Sequence, residues 1–272
     1  MPDTLPVSAA HERGPTPVLR TVISMDIDLS GRVVAVTGAS SGIGEATALA
    51  CAEAGAAVSL AARRTDRIEA LAERIRSAGG TALAIETDVS DEAQANAFVT
   101  RTHEELGRLD VLVNNAGVML LGPIEGAPTE EWRRMIDANV FGVLYCTHAA
   151  FPLMREQGGG TIVNVSSVAG RVARLGSGVY NLTKFGIGAF SESLRQEGVP
   201  HDIRVTLVEP GAVDTELAGH NRDEVLDQIK QRFEGVKRLE AEDIARAVLY
   251  AIGQPDHVAV NEVLVRPTNQ IG

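Results

Sequence analysis

Seven short apolar, β-branched runs recur along the chain, at residues 33–37, 57–61, 82–86, 111–114, 161–166, 204–208 and 263–265. Between them lie longer stretches with apolar positions at helical spacing, among them 42–54, 67–77 and 91–106. A strand that is apolar on both faces is buried on both faces. Strand and helix alternate throughout. The pattern predicts an α/β fold, a doubly wound parallel sheet of seven strands with helices on both faces. Such sheets bind ligands in the crevice outside the carboxyl ends of their strands. The loops after strand ends are therefore where chemistry-bearing residues carry most weight.

Length and composition narrow this picture. The chain has 272 residues, 44% of them hydrophobic, which suits one large domain, residues 29–272, better than two small ones. Residues 1–28 hold Pro2, Pro6, Pro15 and Pro17 and several charges. They read as a flexible extension and lack the apolar run of a secretory leader. The longest uncharged stretch, 138–154, is shorter than the roughly 20 residues of a membrane span, so a soluble protein with no membrane partner is expected. A net charge of -11 repels phosphate backbones and argues against nucleic acid. Cys51 and Cys146 sit in apolar helical patterns. They read as buried thiols of a reducing, cytoplasmic compartment rather than a disulfide. The six histidines show no metal-ligand spacing, and His103-Glu104 lacks the second histidine of a metalloprotease helix, so no metal is expected.

The first strand-end loop reads Thr37-Gly38-Ala39-Ser40-Ser41-Gly42-Ile43-Gly44. It follows a strand and opens a helix. Glycines let the backbone approach a pyrophosphate, and the helix N-terminus offers free N–H groups and positive potential. A plain glycine-rich turn is the alternative. Further strand ends carry Asp88-Val89 and Asn114-Asn115-Ala116-Gly117; each alone is also an ordinary turn. The second strand run leads into Ala62-Arg63-Arg64. NAD-selective sites place a carboxylate there for the 2′-hydroxyl, whereas Arg63 can clamp a 2′-phosphate bidentately and Arg64 can add charge. NADP(H) is the predicted cofactor, with a solvated arginine pair as the competing reading.

Tyr180 and Lys184 are four residues apart, on one face of a helix. An ammonium beside a phenol stabilises the phenolate and makes tyrosine usable as an acid–base group. Ser167 ends the preceding strand, and its hydroxyl could hold a carbonyl oxygen. A surface helix shows the same Tyr–Lys spacing, so the pair gains meaning only from its company.

With that company, the chain resembles the short-chain dehydrogenase/reductase family in its single-domain, Rossmann-fold form, from about Leu29 to the C-terminus. The resemblance rests on the 37–44 loop, Asp88-Val89, Asn114 to Gly117, Asn139, Ser167, Tyr180 with Lys184, and Pro210-Gly211 followed by Thr215. It implies the following roles. Tyr180 is proton donor in reduction and base in oxidation. Lys184 lowers the tyrosine pKa and holds the nicotinamide ribose. Ser167 polarises the carbonyl, and the 13-residue interval to Tyr180 favours it over Ser166. Asn139 interrupts its helix and connects Lys184 to a water chain. Pro210, Gly211, Val213 and Thr215 embrace the carboxamide. Gly38, Ser40, Ser41, Gly42, Ile43, Gly44, Asp88, Val89, Asn115, Ala116 and Gly117 line the nucleotide cleft. Relatives pair as homotetramers or homodimers.

The substrate walls are expected from 118–121, 168–179 and an amphipathic lid at about 214–238, with Leu226, Ile229 and Phe233 at helical spacing. Ala169-Gly170-Arg171 with Val179-Tyr180 and the ending Arg266-Pro267-Thr268-Asn269-Gln270 resemble clavulanate dehydrogenase-like and serine 3-dehydrogenase-like reductases, and this resemblance implies a small carbonyl or alcohol substrate: an aldehyde, ketone or 3-hydroxy acid. Arg171 or Arg174 could take its carboxylate. A 3-ketoacyl thioester reductase is the alternative within the family, and a non-catalytic nucleotide-binding regulator the alternative outside it.

Overall fold

The computed structural model describes residues 27–271; the expected extension at 1–28 falls outside them except for its last two residues. The elements run β1 (Val33–Thr37), α1 (Gly42–Glu53), β2 (Ala57–Ala62), α2 (Thr65–Ser77), β3 (Ala82–Glu86), α3 (Glu92–Leu106), β4 (Val111–Asn114) and α4 (Thr129–Ile136). They continue with α5 (Gly142–Glu156), β5 (Gly160–Val165), α6 (Gly178–Gly198), β6 (Ile203–Pro210), α7 (Asp223–Arg232), α8 (Ala241–Ile252) and β7 (Glu262–Val265). A π-helical turn, Asp137–Phe141, joins α4 to α5.

The strands form one seven-stranded sheet in the order β3-β2-β1-β4-β5-β6-β7. Every neighbouring pair is parallel. Val36 of β1 registers with Leu60 on one side and Val113 on the other. Strand order therefore reverses between β1 and β4, and the crevice outside that pair is the switch point where such sheets take ligands.

The doubly apolar runs explain the layering. In β1, Val34 and Val36 pack with Leu60, Ile68, Ile244 and Val248. Ala35, one residue out of phase, packs with Phe98, Leu112, Met154 and Ile162. Each fully buried Leu, Ile or Phe contributes about 1.5–3 kcal/mol of transfer free energy, so one short run anchors both helix layers. Side-chain chemistry sets the helix ends. Asp91 caps α3 by accepting from the Gln94 N–H at 3.0 Å, and Gly107 closes it at φ 81°. Glu240 and Asp243 form a reciprocal capping box at the start of α8. Behind the crevice, Asn114 donates to Thr147 (3.1 Å) and Asn164 (2.9 Å), and Asn164 donates to Ser191 (2.9 Å). That buried chain ties β4 and β5 to α5 and α6. No described helix is long and apolar enough to cross a membrane.

Candidate active site

The loops after β1 and β4 are laced together by one hydroxyl. Thr37 Oγ1 accepts from the N–H groups of Asn115 (3.0 Å) and Ala116 (3.1 Å), while Asn115 Nδ2 donates back to Thr37 O at 2.9 Å. The turn beneath requires glycine. Gly38 has φ +67°, and a Cβ on it would stand 2.8 Å from Ala116 Cα. A Cβ on Gly44 would stand 2.3 Å from Gly38 O. Neither fits, so α1 starts hard against the loop and presents its N-terminal end to the crevice.

The two arginines after β2 part company. Arg63 is exposed, 3.8 Å from Asp88 across the cleft mouth. Arg64 turns inward: Nε and Nη2 donate to Ser40 Oγ (3.1 and 2.9 Å), and Nη2 donates to Ser41 Oγ (2.7 Å). Its Nη1 donates to Glu216 Oε2 at 2.7 Å, and Arg67 of α2 donates to Glu216 Oε1 at 2.8 Å. These two guanidiniums hold the Glu216 carboxyl down at about 2.

The opposite end of the cleft is buried. Ser167 follows β5 with its hydroxyl 3.5 Å from Pro210 O. Burial pushes the Tyr180 phenol up to about 12, and the Ser167 hydroxyl facing it pulls against the rise. One helical turn on, Lys184 Nζ donates to Val165 O at 3.0 Å and lies 5.8 Å from the Tyr180 ring centroid. Burial brings its pKa down to about 8. Ser166, the neighbour competing for the serine position, spends its hydroxyl on the Lys184 carbonyl at 3.2 Å. Asn139 sits in the π turn. Its side chain accepts from Val118 N (2.7 Å) and donates to Val118 O (2.8 Å) and Thr183 Oγ1 (3.3 Å). A Cβ on Gly117 would come 2.9 Å from Asn139 Oδ1 and 4.0 Å from Lys184 Nζ.

One cleft of about 470 Å³ joins the two ends, running from Gly38, Ser40, Ser41, Gly42 and Ile43 past Asp88, Val89 and Asn115 to Gly117 to Ser167, Tyr180 and Lys184. Pro210, Gly211, Val213 and Thr215 form its far wall. Gly44 packs beneath it. Arg174 lines the cleft. Arg171 does not: its Nε donates to buried Glu209 at 2.6 Å, and its Nη2 reaches Glu262. The arrangement suits a dinucleotide, with glycines where a backbone must come close, hydroxyls and a guanidinium at one end, and a phenol–ammonium pair at the other.

The segment after β6 leaves and returns through a narrow neck. Val213 bridges Leu239, and Leu239 N donates to Ala212 O at 2.9 Å. Between these points it carries a 3-10 turn, Glu216–His220, and α7. Phe233 and Arg238 line the cleft; the Ile229 side chain is outside the described residues. Asn221 staples the segment to the β4 loop, accepting from Leu121 N (2.7 Å) and donating to Met119 O (2.9 Å). Gln270 Oε1 accepts from Ala212 N at 2.9 Å, which fixes the wall beside Gly211. Arg67, Glu216 and Asn221 carry no signal in residue order: each acts through partners distant in sequence and belongs to no short motif. Gln270 stands in the C-terminal pattern Arg266 to Gln270, but its bond to Ala212 is visible only in the fold.

A family model described as short chain dehydrogenase matches residues 32–226. An uncharacterized oxidoreductase of Staphylococcus saprophyticus is 42% identical over 247 residues, covering 89% of this chain and 98% of its own. The closed form of a serine dehydrogenase complexed with NADP+ superposes with a TM-score of 0.82 at 32% identity, covering 88% of this chain and 96% of that one. An alcohol dehydrogenase from the archaeon Thermococcus sibiricus, complexed with 5-hydroxy-NADP, gives a TM-score of 0.80 at 30% identity, covering 89% and 98%.

Proposed function

The chain belongs to the short-chain dehydrogenase family, and from that premise we propose that it is an NADP(H)-dependent oxidoreductase interconverting a small carbonyl compound and its alcohol. The observation that carries this reading is the meeting of Ser167, Tyr180 and Lys184 at one end of a cleft whose other end is the glycine loop. Nicotinamide, when bound, supplies the hydride in reduction and accepts it in oxidation.

The chain's residues do the rest. The Ser167 hydroxyl holds the carbonyl oxygen. Tyr180 donates its phenolic proton to that oxygen as the carbon is reduced, and recovers a proton from solvent afterwards. Lys184, one helical turn away, stabilises the phenolate left behind. In oxidation the same phenolate takes the alcohol proton. Asn139 holds Val118 and approaches the Lys184 ammonium through Gly117, which supports a role in keeping that corner open to a proton-carrying water.

NADP(H) is favoured over NAD(H) because β2 ends in Ala62 where a ribose-binding carboxylate would stand, and because Arg64 lies on Ser40 and Ser41 at the same corner. A small substrate is favoured by the apolar wall of Val118, Met119 and Leu121 and by the likeness to the serine dehydrogenase. Exposed Phe141, Leu182 and Phe185 on the π turn and α6 support a homodimer or homotetramer, and the buried free thiols of Cys51 and Cys146 suit the cytoplasm.

The test is nicotinamide absorbance during turnover with NADPH and NADH, comparing carboxylated small aldehydes with acetoacetyl thioesters. Consumption of NADPH with the aldehydes is expected, with Arg64→Ala reducing the NADPH preference on the order of 10-fold or more. Turnover of thioesters alone would replace the substrate reading, and equal use of both dinucleotides the cofactor reading.

A further inference from the structure

We propose that Glu216 is an internal competitor for the 2′-phosphate, so that binding a 2′-phosphorylated dinucleotide and unclasping the start of the lid are one event. The proposal rests on the NADP(H) reading above and adds a residue that reading does not contain.

The geometry is that of a carboxylate sitting where a phosphate would bind. Arg64 commits Nε and one terminal nitrogen to the Ser40 and Ser41 hydroxyls, and Nη1 is the donor that points to Glu216. Arg67 sends its Nη1 to both oxygens of the same carboxylate, at 2.8 and 3.1 Å. Arg63 is turned to Asp88 instead. A phosphate monoester carries up to about two negative charges and three acceptor oxygens. A glutamate carries one charge and two oxygens. Both ions want the same donors, and the dianion holds them more strongly.

Glu216 is not a free surface residue. It opens the 3-10 turn Glu216–His220 directly after Thr215, whose hydroxyl caps that turn by accepting from Leu217 N at 3.4 Å. The far end of the turn is pinned by Asn221 to Met119 and Leu121. The neck at Val213 and Leu239 is bridged. So the lid's first turn is held by three fastenings, and the ionic one alone lies on the nucleotide's adenosine side. Taking Arg64 and Arg67 away from Glu216 releases that side while the neck and the amide staple stay. The adenosine end of the cofactor thereby reports to the segment that closes over the substrate end. NADH, with a hydroxyl at the 2′ position, has no group to displace the carboxylate.

The sign of the effect separates this from a supporting role. If Glu216 competes, Glu216→Gln tightens NADPH binding by roughly 3–10-fold, the scale of solvent-exposed ion pairs, and leaves NADH binding unchanged. If Glu216 instead holds Arg64 ready for the phosphate, the same substitution weakens NADPH binding, and the proposal falls. Nucleotide fluorescence titration reads this without turnover. A second readout uses the probe 2′,5′-ADP, which carries the phosphate and no nicotinamide, against 5′-AMP. Trypsin cleavage within the lid, at Arg222 or Lys230, is expected to speed up with 2′,5′-ADP and not with 5′-AMP. In Glu216→Gln it is expected to be fast already and indifferent to either. Unchanged cleavage of the wild-type lid by 2′,5′-ADP overturns the proposal. If NADPH is preferred and Arg64→Ala removes the preference, yet Glu216→Gln does not tighten binding, the cofactor reading stands and the clasp falls. If the wild type binds NADH as tightly as NADPH and Arg64→Ala changes neither, both fall.

Discussion

The floor of the cleft and its rim are built on opposite physical terms. On the floor, Tyr180 and Lys184 are 6% and 7% exposed and are held by a strand end and one helix through short, local contacts. Burial there moves the phenol up to about 12 and the ammonium down to about 8. At the rim, Arg64, Arg67 and Glu216 are 41%, 44% and 50% exposed. The two guanidiniums hold the Glu216 carboxyl down at about 2, and they meet it across more than a hundred residues of chain. Charges in a dry site interact strongly and are hard to rearrange, while exposed pairs are worth little each and exchange partners easily. The floor is thus suited to fixing which reaction runs, and the rim to choosing which cofactor and substrate take part.

The sharpest way to break that division is to remove the hydroxyl proposed as proton donor and leave its surroundings. Tyr180→Phe keeps the ring that packs against Val118, Leu120 and Met135 and deletes only the hydroxyl. Carbonyl reduction is expected to fall by ~10²–10⁴-fold, with NADPH titrating as in the unmutated protein. Retention of most of the turnover would remove the floor's claim to the chemistry, and a matching loss of NADPH affinity would show that floor and rim are not separable.

Lys184 gives a pH signature. With its pKa near 8, the ammonium is present below that value and lost above it. Stabilising the phenolate needs the charge, so the reduction rate is expected to be full below about 8 and to decline as pH rises through it. Lys184→Met should lower the rate by ~10²-fold near neutrality and abolish the decline. Stability carries the same signature with the opposite consequence. The folded-state pKa lies below the ordinary 10.5, so between the two values the unfolded chain binds more protons than the folded one, and this residue's contribution to stability grows with pH. Its penalty is complete below about 8, and Lys184→Met is expected to melt higher there. A flat rate profile through pH 8 would remove the lysine's assigned part.

The same division explains what could be read from residue order. Floor residues were legible because they act over short range. Tyr180 and Lys184 share one helix face, Ser167 follows a strand end, and the glycine loop is a contiguous turn. Strand limits followed the apolar runs, with β1, β3 and β4 exactly where those runs lie. β6 runs on to Pro210, two residues past its apolar run, because Glu209 and Pro210 still pair with Leu264 and Val265 of β7, the Glu209 carboxylate being buried against Arg171. Pro210 closes a strand end where its missing N–H is not needed. The rim was legible only as composition. Two adjacent arginines announce a positive corner. Which of them turns inward depends on how β2 hands over to α2, and the inward one is Arg64. Its partner Glu216 is 152 residues away, and no local spacing marks such a pairing.

The mildest expected effect separates the two arginines of the 168–179 wall. Arg171 and Arg174 are alike on paper, and either could take a substrate carboxylate. In the fold Arg171 is drawn off the cleft into an ion pair with Glu209, which is 2% exposed, and with Glu262, whereas Arg174 lines the cleft. Arg171→Ala therefore leaves a buried carboxylate without its partner. Because the guanidinium itself is 39% exposed, the expected destabilisation is discounted from the full buried-pair figure to about 1–2 kcal/mol, visible as a lower Tm. KM for a carboxylated aldehyde should stay the same. Arg174→Ala should reverse the pattern, with Tm nearly unchanged and KM for the carboxylated aldehyde raised ~3–10-fold relative to an uncharged aldehyde of the same length, as fits one partly exposed charge-assisted contact. If both aldehydes shift together in Arg174→Ala, the arginine shapes the wall and does not read the carboxylate. If Arg171→Ala raises KM for the carboxylated aldehyde alone, the guanidinium leaves Glu209 during turnover, and the boundary between a fixed floor and an exchangeable rim lies deeper in the cleft than the ion pairs indicate.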